Sequence, residues 1–477
     1  MNGLVYKSVA KNAAFIFIIK LFPVLANVIV LILYSRELSE TDYGNYQEFW
    51  VKYLLLGTLA YAGLPVTIIT YAPEMIKAII NRLRLKQYTL YLCWFFFWCI
   101  LFSFLMRKDL QLPAYLSVSL LALYVAHSLQ ESMILISRQM KGLMIVNFLY
   151  AVYFLILHVW ILPYYDLTDL LGFLLIGLIV RSLILAIFLK GIYSKLSPIK
   201  LESKNLNNIR HLWLHLGLYD LLQNVFRFAD KFVISSFLAA SVYAIYFNGA
   251  QTAEVPLLPY LLGAVSSSIL IQLSSGKEQA PGTKHLLLRY SAMLLSSIVF
   301  PIFFFLFFFS RELFLVILTE KYLESVPIFT IAILVLPLRS YNYTVLLQHF
   351  EKGKLINLGA LLDLLLAMAL ILPLYRLFGL PGIVLSFVIS TYLQVLFYLY
   401  HTSRITSISI TDLLPLKNWL SKLVLFGLIL FLTSRILSVY VSGLELLLGG
   451  FAITAALIGA STLLEWRRLK EKFKKAS

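Results

Sequence analysis

Fourteen apolar segments follow one another along the chain, at about 12–34, 50–73, 88–106, 112–136, 144–164, 168–190, 212–237, 241–273, 285–309, 326–348, 355–375, 379–401, 418–438 and 443–464. Each approaches or exceeds the roughly 20 residues that cross a bilayer as a helix, the form in which one segment satisfies its own backbone polar groups. The connections are short and leave no room for a soluble domain. The longest polar stretch, residues 191–211, joins segments six and seven. Segment eight is overlong and contains Pro256 and Pro259, which predicts a kink or an interfacial turn. The first segment is too long for the core of a cleaved signal peptide and contains Lys20, so it is expected to remain as a spanning helix. The pattern predicts an all-α polytopic membrane protein of about 14 transmembrane helices.

The two halves of this array are weakly alike. Tyr34-Ser35-Arg36-Glu37-Leu38, followed by Tyr43 and Tyr46, aligns with Ile234-Ser235-Ser236-Phe237-Leu238, followed by Tyr243 and Tyr246, at an offset of 200. Lys141-Gly142 aligns with Lys352-Gly353, each with an asparagine soon after (Asn147, Asn357), and Gly172 aligns with Gly382, at offsets of 211 and 210. Three landmarks in order at one near-constant offset predict a duplication. It gives an N-terminal six-helix bundle over 1–190, a cytoplasmic linker over 191–211 and a C-terminal six-helix bundle over 212–401. Residues 402–477 then hold helices thirteen and fourteen and a basic cytoplasmic tail. An even number of helices per repeat makes the halves parallel, related by an axis along the membrane normal.

Composition agrees with the membrane reading: 61% of the 477 residues are hydrophobic and 13% charged, against about half and a quarter in soluble domains. The mean hydropathy is +0.87. A net charge of +17 would suggest a nucleic-acid partner on a soluble protein. Here the cations are distributed by side. Fourteen helices place 27 of the 40 Lys and Arg on the side of Lys7 and Lys11, and eight on the other, Arg36, Lys52, Arg107 and Lys108 among them. By the positive-inside rule both termini are cytoplasmic and no nucleic-acid partner is implied. The run from Arg467 to Lys475 is expected to rest on anionic lipid headgroups. The acidic residues of the other side, such as Glu37, Glu40, Asp42 and Glu48, read as a solvated face. The two cysteines, Cys93 and Cys99, make neither a disulfide framework nor a metal site. With no Gly-rich phosphate loop, HExxH or GxSxG, the sequence predicts no enzyme, no metal and no cofactor.

The informative charges are those inside the predicted helices, because an ionisable group there normally faces a cavity or a partner. They are Lys20, Glu131, Arg181, Asp220, Arg227, Asp230, Lys231, Glu254, Arg339 and Asp363. Segment seven stands out. Asp220, Gln223, Asn224, Arg227 and Lys231 recur at spacings of three and four and form one polar stripe. Leu222, Val225, Ala229 and Val233 would then face lipid. Two readings fit the stripe: the lining of a water-filled cavity, or ion pairs joining helices, with Asp230 in angular reach of Arg227. Arg181, Arg339 and Lys20 have the same two readings. Glu131 and Glu254 are better placed for local pairing, and Asp363 would neutralise a cation in the lumen. Tyr164, Tyr165 and the run Tyr398-Leu399-Tyr400 fit interfacial belts.

Three stretches resemble the polysaccharide-transporter branch of the MATE-like multidrug/oligosaccharidyl-lipid/polysaccharide flippase superfamily. They are Ser8-Val9-Ala10-Lys11-Asn12 leading to Leu38-Ser39-Glu40-Thr41-Asp42-Tyr43-Gly44-Asn45-Tyr46; Phe228-Ala229-Asp230-Lys231-Phe232-Val233-Ile234 with Tyr243-Ala244-Ile245-Tyr246; and Leu380-Pro381-Gly382. The resemblance implies a 6+6 bundle with two added helices, moving undecaprenyl-pyrophosphate-linked oligosaccharide across the inner membrane by alternating access. It makes Arg227, Lys231, Arg181, Arg339 and Lys20 the expected cavity cations for the pyrophosphate. Asp220, Asp230, Asp363 and Asn224 are the expected coupling or charge-balancing residues, for Na+ or H+. Expected partners are the lipid-linked substrate, membrane lipids, a polysaccharide polymerase and glycosyltransferases, around a monomer. The alternatives are a flippase for another isoprenoid-linked glycan, such as a peptidoglycan precursor, a cation/drug antiporter of the same superfamily, and a membrane glycosyltransferase or polymerase.

Overall fold

The computed structural model describes residues 21–137, 140–197, 203–252, 284–350 and 352–476. Its helices are α1 (21–37), α2 (Glu40–Tyr61), α3 (Leu64–Thr70), α4 (Pro73–Arg82), α5 (Leu85–Leu110), α6 (Ala114–Ile136), α7 (Met140–Ile161), α8 (Leu167–Tyr193), α9 (Ser203–Phe237), α10 (Ala240–Thr252), α11 (Lys284–Phe308), α12 (Ser310–Ile317), α13 (Val326–Ala332), α14 (Val345–His349), α15 (Gly353–Phe378), α16 (Leu380–Thr406), α17 (Ile410–Leu413), α18 (Leu416–Tyr440) and α19 (Gly443–Ala476). Turns of 3-10 helix lie at Leu162–Tyr164, Glu320–Ser325 and Ile333–Ser340. There is no strand among the described residues, and the protein is an all-α multi-pass membrane protein. Ten of these helical stretches are long and apolar enough to span a bilayer, and the bent pair α2–α3 adds an eleventh if taken as one span. Of the other expected segments, the seventh is the 35-residue α9, which is not among the ten. The first and eighth run partly outside the described residues, as do Pro256 and Pro259.

Segment two begins earlier than its hydropathy suggests. The Ser39 side chain accepts from the Asp42 amide at 3.1 Å and caps α2, with Glu40 and Asp42 in the first turn. Tyr43, Tyr46 and Phe49 are buried there, so the expected outer loop is a packed helix. The segment breaks at Ala62 and Gly63, both left-handed (φ 52 and 68), and α3 leaves at 55°. A Cβ on Gly63 would lie 2.2 Å from the Gly217 Cα of α9, so this backbone conformation and this close approach both require glycine. Gly63→Ala is expected to cost more than about 1 kcal/mol, read as a lower melting temperature of the purified protein.

Segment ten is not one helix either. It is α13, then the 3-10 run Ile333–Ser340 with Pro337 inside, then α14. Proline lacks the amide that an α-helix needs at that point. Arg339 therefore sits in the last turn of a 3-10 run rather than in mid-helix.

The chain divides into two compact units, Met1–Ala244 and Ile245–Ser477. In the first, α9 packs on α2 and α3, and α6 packs on α8. In the second, α15 and α16 form a long hairpin, and α11 packs on α18 and α19. The breaks α1–α2 and α9–α10 are built alike. The Leu38 amide donates to Tyr34 O at 3.0 Å and that of Tyr43 to Ser39 O at 2.9 Å; 200 residues on, Leu238 donates to Ile234 O and Tyr243 to Ala239 O, both at 2.9 Å. Tyr43, Tyr46, Tyr243 and Tyr246 are all fully buried. The Gly172 and Gly382 landmarks differ in packing: a Cβ would meet nothing at the first but the Leu374 carbonyl at the second. Tyr164 and Tyr400 are exposed as a belt requires, but Tyr398 is buried and donates to Ile356 O at 2.8 Å.

Candidate functional site

The residues of the polar stripe and of the apolar face all lie on the helix α9, with mixed burial on both. Ala229 is buried and Leu222, Val225 and Val233 are half-buried, while Gln223 and Arg227 are exposed. Within its own unit α9 packs on α2 and α3. Along the stripe, Asp220 meets the Tyr61 hydroxyl at 3.4 Å and Asn224 Nδ2 at 3.2 Å. Trp213 Nε1 donates to Ala62 O at 2.9 Å, tying α9 to the α2–α3 break. Arg227 lies over the Phe228 ring at 5.5 Å. Lys231 is buried; its ammonium donates to Arg227 O at 3.1 Å and to both Asp230 carboxylate oxygens at 3.3 Å. Of the two stripe cations, one is thus exposed and the other is buried with a carboxylate.

Arg181 on α8 is fixed locally. It forms an ion pair with Glu131 on α6, donates to Asn147 Oδ1 on α7 at 2.9 Å, and lies over the Tyr150 ring at 4.5 Å. Three helices converge on one guanidinium. Its Nε is buried with no hydrogen-bond partner.

Arg339 and Asp363 belong to the second unit. Asp363, on α15, is buried beside Ser390 of α16, with Oδ1 lacking a hydrogen-bond partner. Lys20 and Glu254 lie outside the described residues. The structure thus brings Asp220, Asn224, Arg227, Asp230 and Lys231 onto one helix, puts Arg181 in the same unit, and leaves Arg339 and Asp363 in the other.

Two buried charge clusters escaped the sequence reading. Lys52, counted among the outer-side cations, is completely buried on α2. It pairs with Glu48 one turn earlier and with Asp109 of α5 at 2.5 Å. The spacing of four between Glu48 and Lys52 was a visible signal. Lys422, counted on the inner side, is buried on α18. It donates to Met293 O at 2.5 Å, Ser297 Oγ at 2.8 Å and Ser296 Oγ at 3.1 Å, and pairs with Glu465 at 3.3 Å. Nothing in sequence spacing connects these residues.

The fold is shared with solved flippase and transporter structures. It matches a structure of the lipid II flippase MurJ in an inward closed conformation with a TM-score of 0.67 at 13% identity, covering 95% of this chain and 98% of that one. It also matches an inward-facing multidrug resistance MATE family transporter (TM-score 0.56, 14% identity, 81% and 95% covered) and a MATE structure in a bent conformation (0.53, 14%, 85% and 97%). No curated protein matches the sequence. A family model described as "Polysaccharide biosynthesis protein" matches residues 87–327, half of the chain, and the protein belongs to that family.

Proposed function

We propose that this protein is a flippase for an undecaprenyl-pyrophosphate-linked oligosaccharide, the repeat unit of O-antigen or another surface polysaccharide. It works by alternating access in the cytoplasmic membrane, with both termini cytoplasmic. The reading rests above all on the exposed Arg227 of the α9 stripe, in a chain of the polysaccharide biosynthesis family. A guanidinium binds phosphate oxygens through paired charge-assisted hydrogen bonds, and these gain strength where water is sparse. In this reading Arg227 takes the pyrophosphate and Lys231, on the same helix, supplies further positive charge; Arg339 is a separate candidate cation of the second unit. Arg181, already held by Glu131 and Asn147, acts by ordering the three helices around it. Lys20, outside the described residues, remains a candidate cation. The protein works as a monomer and hands its product to a polymerase, downstream of glycosyltransferases.

The deciding experiment is reconstitution into vesicles with lipid-linked oligosaccharide, read by an impermeant enzyme or lectin that reaches sugar on one side only. Time-dependent loss of protected sugar is expected. Vesicles that move organic cations but not the glycolipid would establish the antiporter instead. A peptidoglycan precursor is the second substrate to assay, because the MurJ structure matched above is named a lipid II flippase.

Ion coupling is assigned to Asp363, whose buried carboxylate has an oxygen left unpartnered; Asp220 and Asp230 are engaged by Tyr61, Asn224 and Lys231. A buried carboxylate of this kind is stabilised by binding Na+ or a proton. Asp363→Asn is expected to transport at the same rate with or without an imposed gradient, while the parent slows when the gradient is collapsed. A variant as gradient-dependent as the parent would move coupling elsewhere.

A further inference from the structure

The first unit contains a cavity that the transport reading does not use. It has a volume of about 250 Å³ and lies between α4, α6 and the C-terminal end of α8. Ile76, Ile136, Leu189 and Ile192 give it apolar walls, and its charged groups are Lys77 and Lys190. No acidic side chain lines it among the described residues. The sequence around it is strongly basic: Arg82 ends α4, Arg84 and Lys86 come after it, and Lys195 follows α8. This is the side on which most of the chain's cations lie.

The helix α4 explains how such a cavity arises. At ten residues it is too short to cross a bilayer. Pro73 opens it and Ile76 is its one buried residue, so one side meets the unit, while Asn81 and Arg82 at its end are exposed. A helix this short, with one apolar side, suits the membrane interface rather than a span. Lys77 pins it to α8: its ammonium donates to Tyr193 O and Leu196 O, both at 2.9 Å, and lies 4.5 Å from the Tyr193 ring centre. The Tyr193 hydroxyl donates back to Asn81 Oδ1 at 2.9 Å. A lysine ammonium has three donors, and two of these are used. The cavity is thus held open by a fixed cation at one side, with the exposed Lys190 at another.

We propose that this cavity binds an anionic phospholipid, with one acyl chain between α4, α6 and α8 and the phosphate against Lys190 and Lys77. The size favours a chain over a sugar: pockets for whole small ligands run from about 300 to 1,000 Å³. The apolar walls offer little for hydroxyl groups to bond. The charge favours an anionic headgroup, and the cytoplasmic leaflet is the one rich in anionic lipid. The proposal is independent of what the protein transports.

The test uses the full-length protein in detergent, titrated with phosphatidylglycerol, phosphatidylcholine and glycerol 3-phosphate and followed by native mass spectrometry. Phosphatidylglycerol is expected to bind more tightly than phosphatidylcholine, and glycerol 3-phosphate, which has no chain, not to bind. Lys190→Gln is expected to weaken phosphatidylglycerol about fivefold, the effect of one lysine near a membrane surface. Leu196→Trp, which fills the cavity, should weaken both lipids. Lys417→Gln, an exposed cation of the other unit, should change nothing. Equal binding of the two lipids overturns the proposal, as does a Lys190→Gln protein that binds like the parent. Displacement of phosphatidylglycerol by equimolar polyprenyl phosphate also overturns it, by giving the cavity to the carrier of the substrate. Lys190 is exposed, so its variant reports on binding even if Leu196→Trp fails to fold.

Discussion

Arg227→Ala is expected to reduce flipping about 10- to 150-fold at limiting substrate, with the protein still inserted and folded. A hydrogen bond to a charged group contributes about 1.5–3 kcal/mol, and a guanidinium on a pyrophosphate makes more than one. The side chain is exposed, and substitutions at such positions usually change stability by about 0.5 kcal/mol or less. Flux and melting temperature should therefore separate. Arg227→Lys is expected to fall between, because lysine keeps the charge but loses the planar fork that matches two phosphate oxygens. Lys231→Ala should separate less cleanly, since it also strips the buried Asp230 of a cation 3.3 Å away. If Arg227→Ala protein flips the glycolipid at the parental rate, α9 does not carry the substrate site.

Lys52→Ala is expected to have the opposite profile, a loss of folded protein rather than a selective loss of transport. The lysine is fully buried between two carboxylates. Removing it leaves Glu48 and Asp109 without their shared cation, and breaking a buried pair in this way costs about 3–5 kcal/mol. That is a large part of the 5–15 kcal/mol by which proteins are typically stable. Neutralising all three groups, as Lys52→Met with Glu48→Gln and Asp109→Asn, should recover much of the loss. Melting temperature and the yield of monodisperse protein read both variants. A Lys52→Ala protein as stable as the parent would show that the two acids find other partners.

The class of fold was legible because hydropathy decides it: an apolar run the length of a bilayer has few other uses. The stripe on α9 was legible for a similar reason, since a helical period of three and four survives in one dimension. Segment boundaries were less so. Hydropathy starts segment two near Trp50, but the cap at Ser39 and the buried tyrosines that follow start the helix ten residues earlier. The burial of Ala229 on α9 was not legible, because one helix viewed alone does not reveal which neighbours cover it. Arg181 shows the same limit. Its partners, Glu131 and Asn147, lie on two other helices, 50 and 34 residues away. Lys422 was hidden more completely, because its partners are a carbonyl, two serines and a distant glutamate, none of which announces itself.

The Lys52 cluster also bears on how the chain is made. Glu48 and Lys52 lie one turn apart and can neutralise each other as soon as α2 forms. Asp109 is 57 residues further on. At about 5–20 residues per second, a ribosome produces it roughly 3–11 seconds later. During that interval α2 carries an internally paired charge and no third partner, and α5 must then enter the membrane bearing Asp109 near its end. The triad therefore closes only after the chain has turned back through α3 and α4 and α5 has been synthesised to its end. This orders assembly in time: the second helix is provisional until the C-terminal end of α5 arrives.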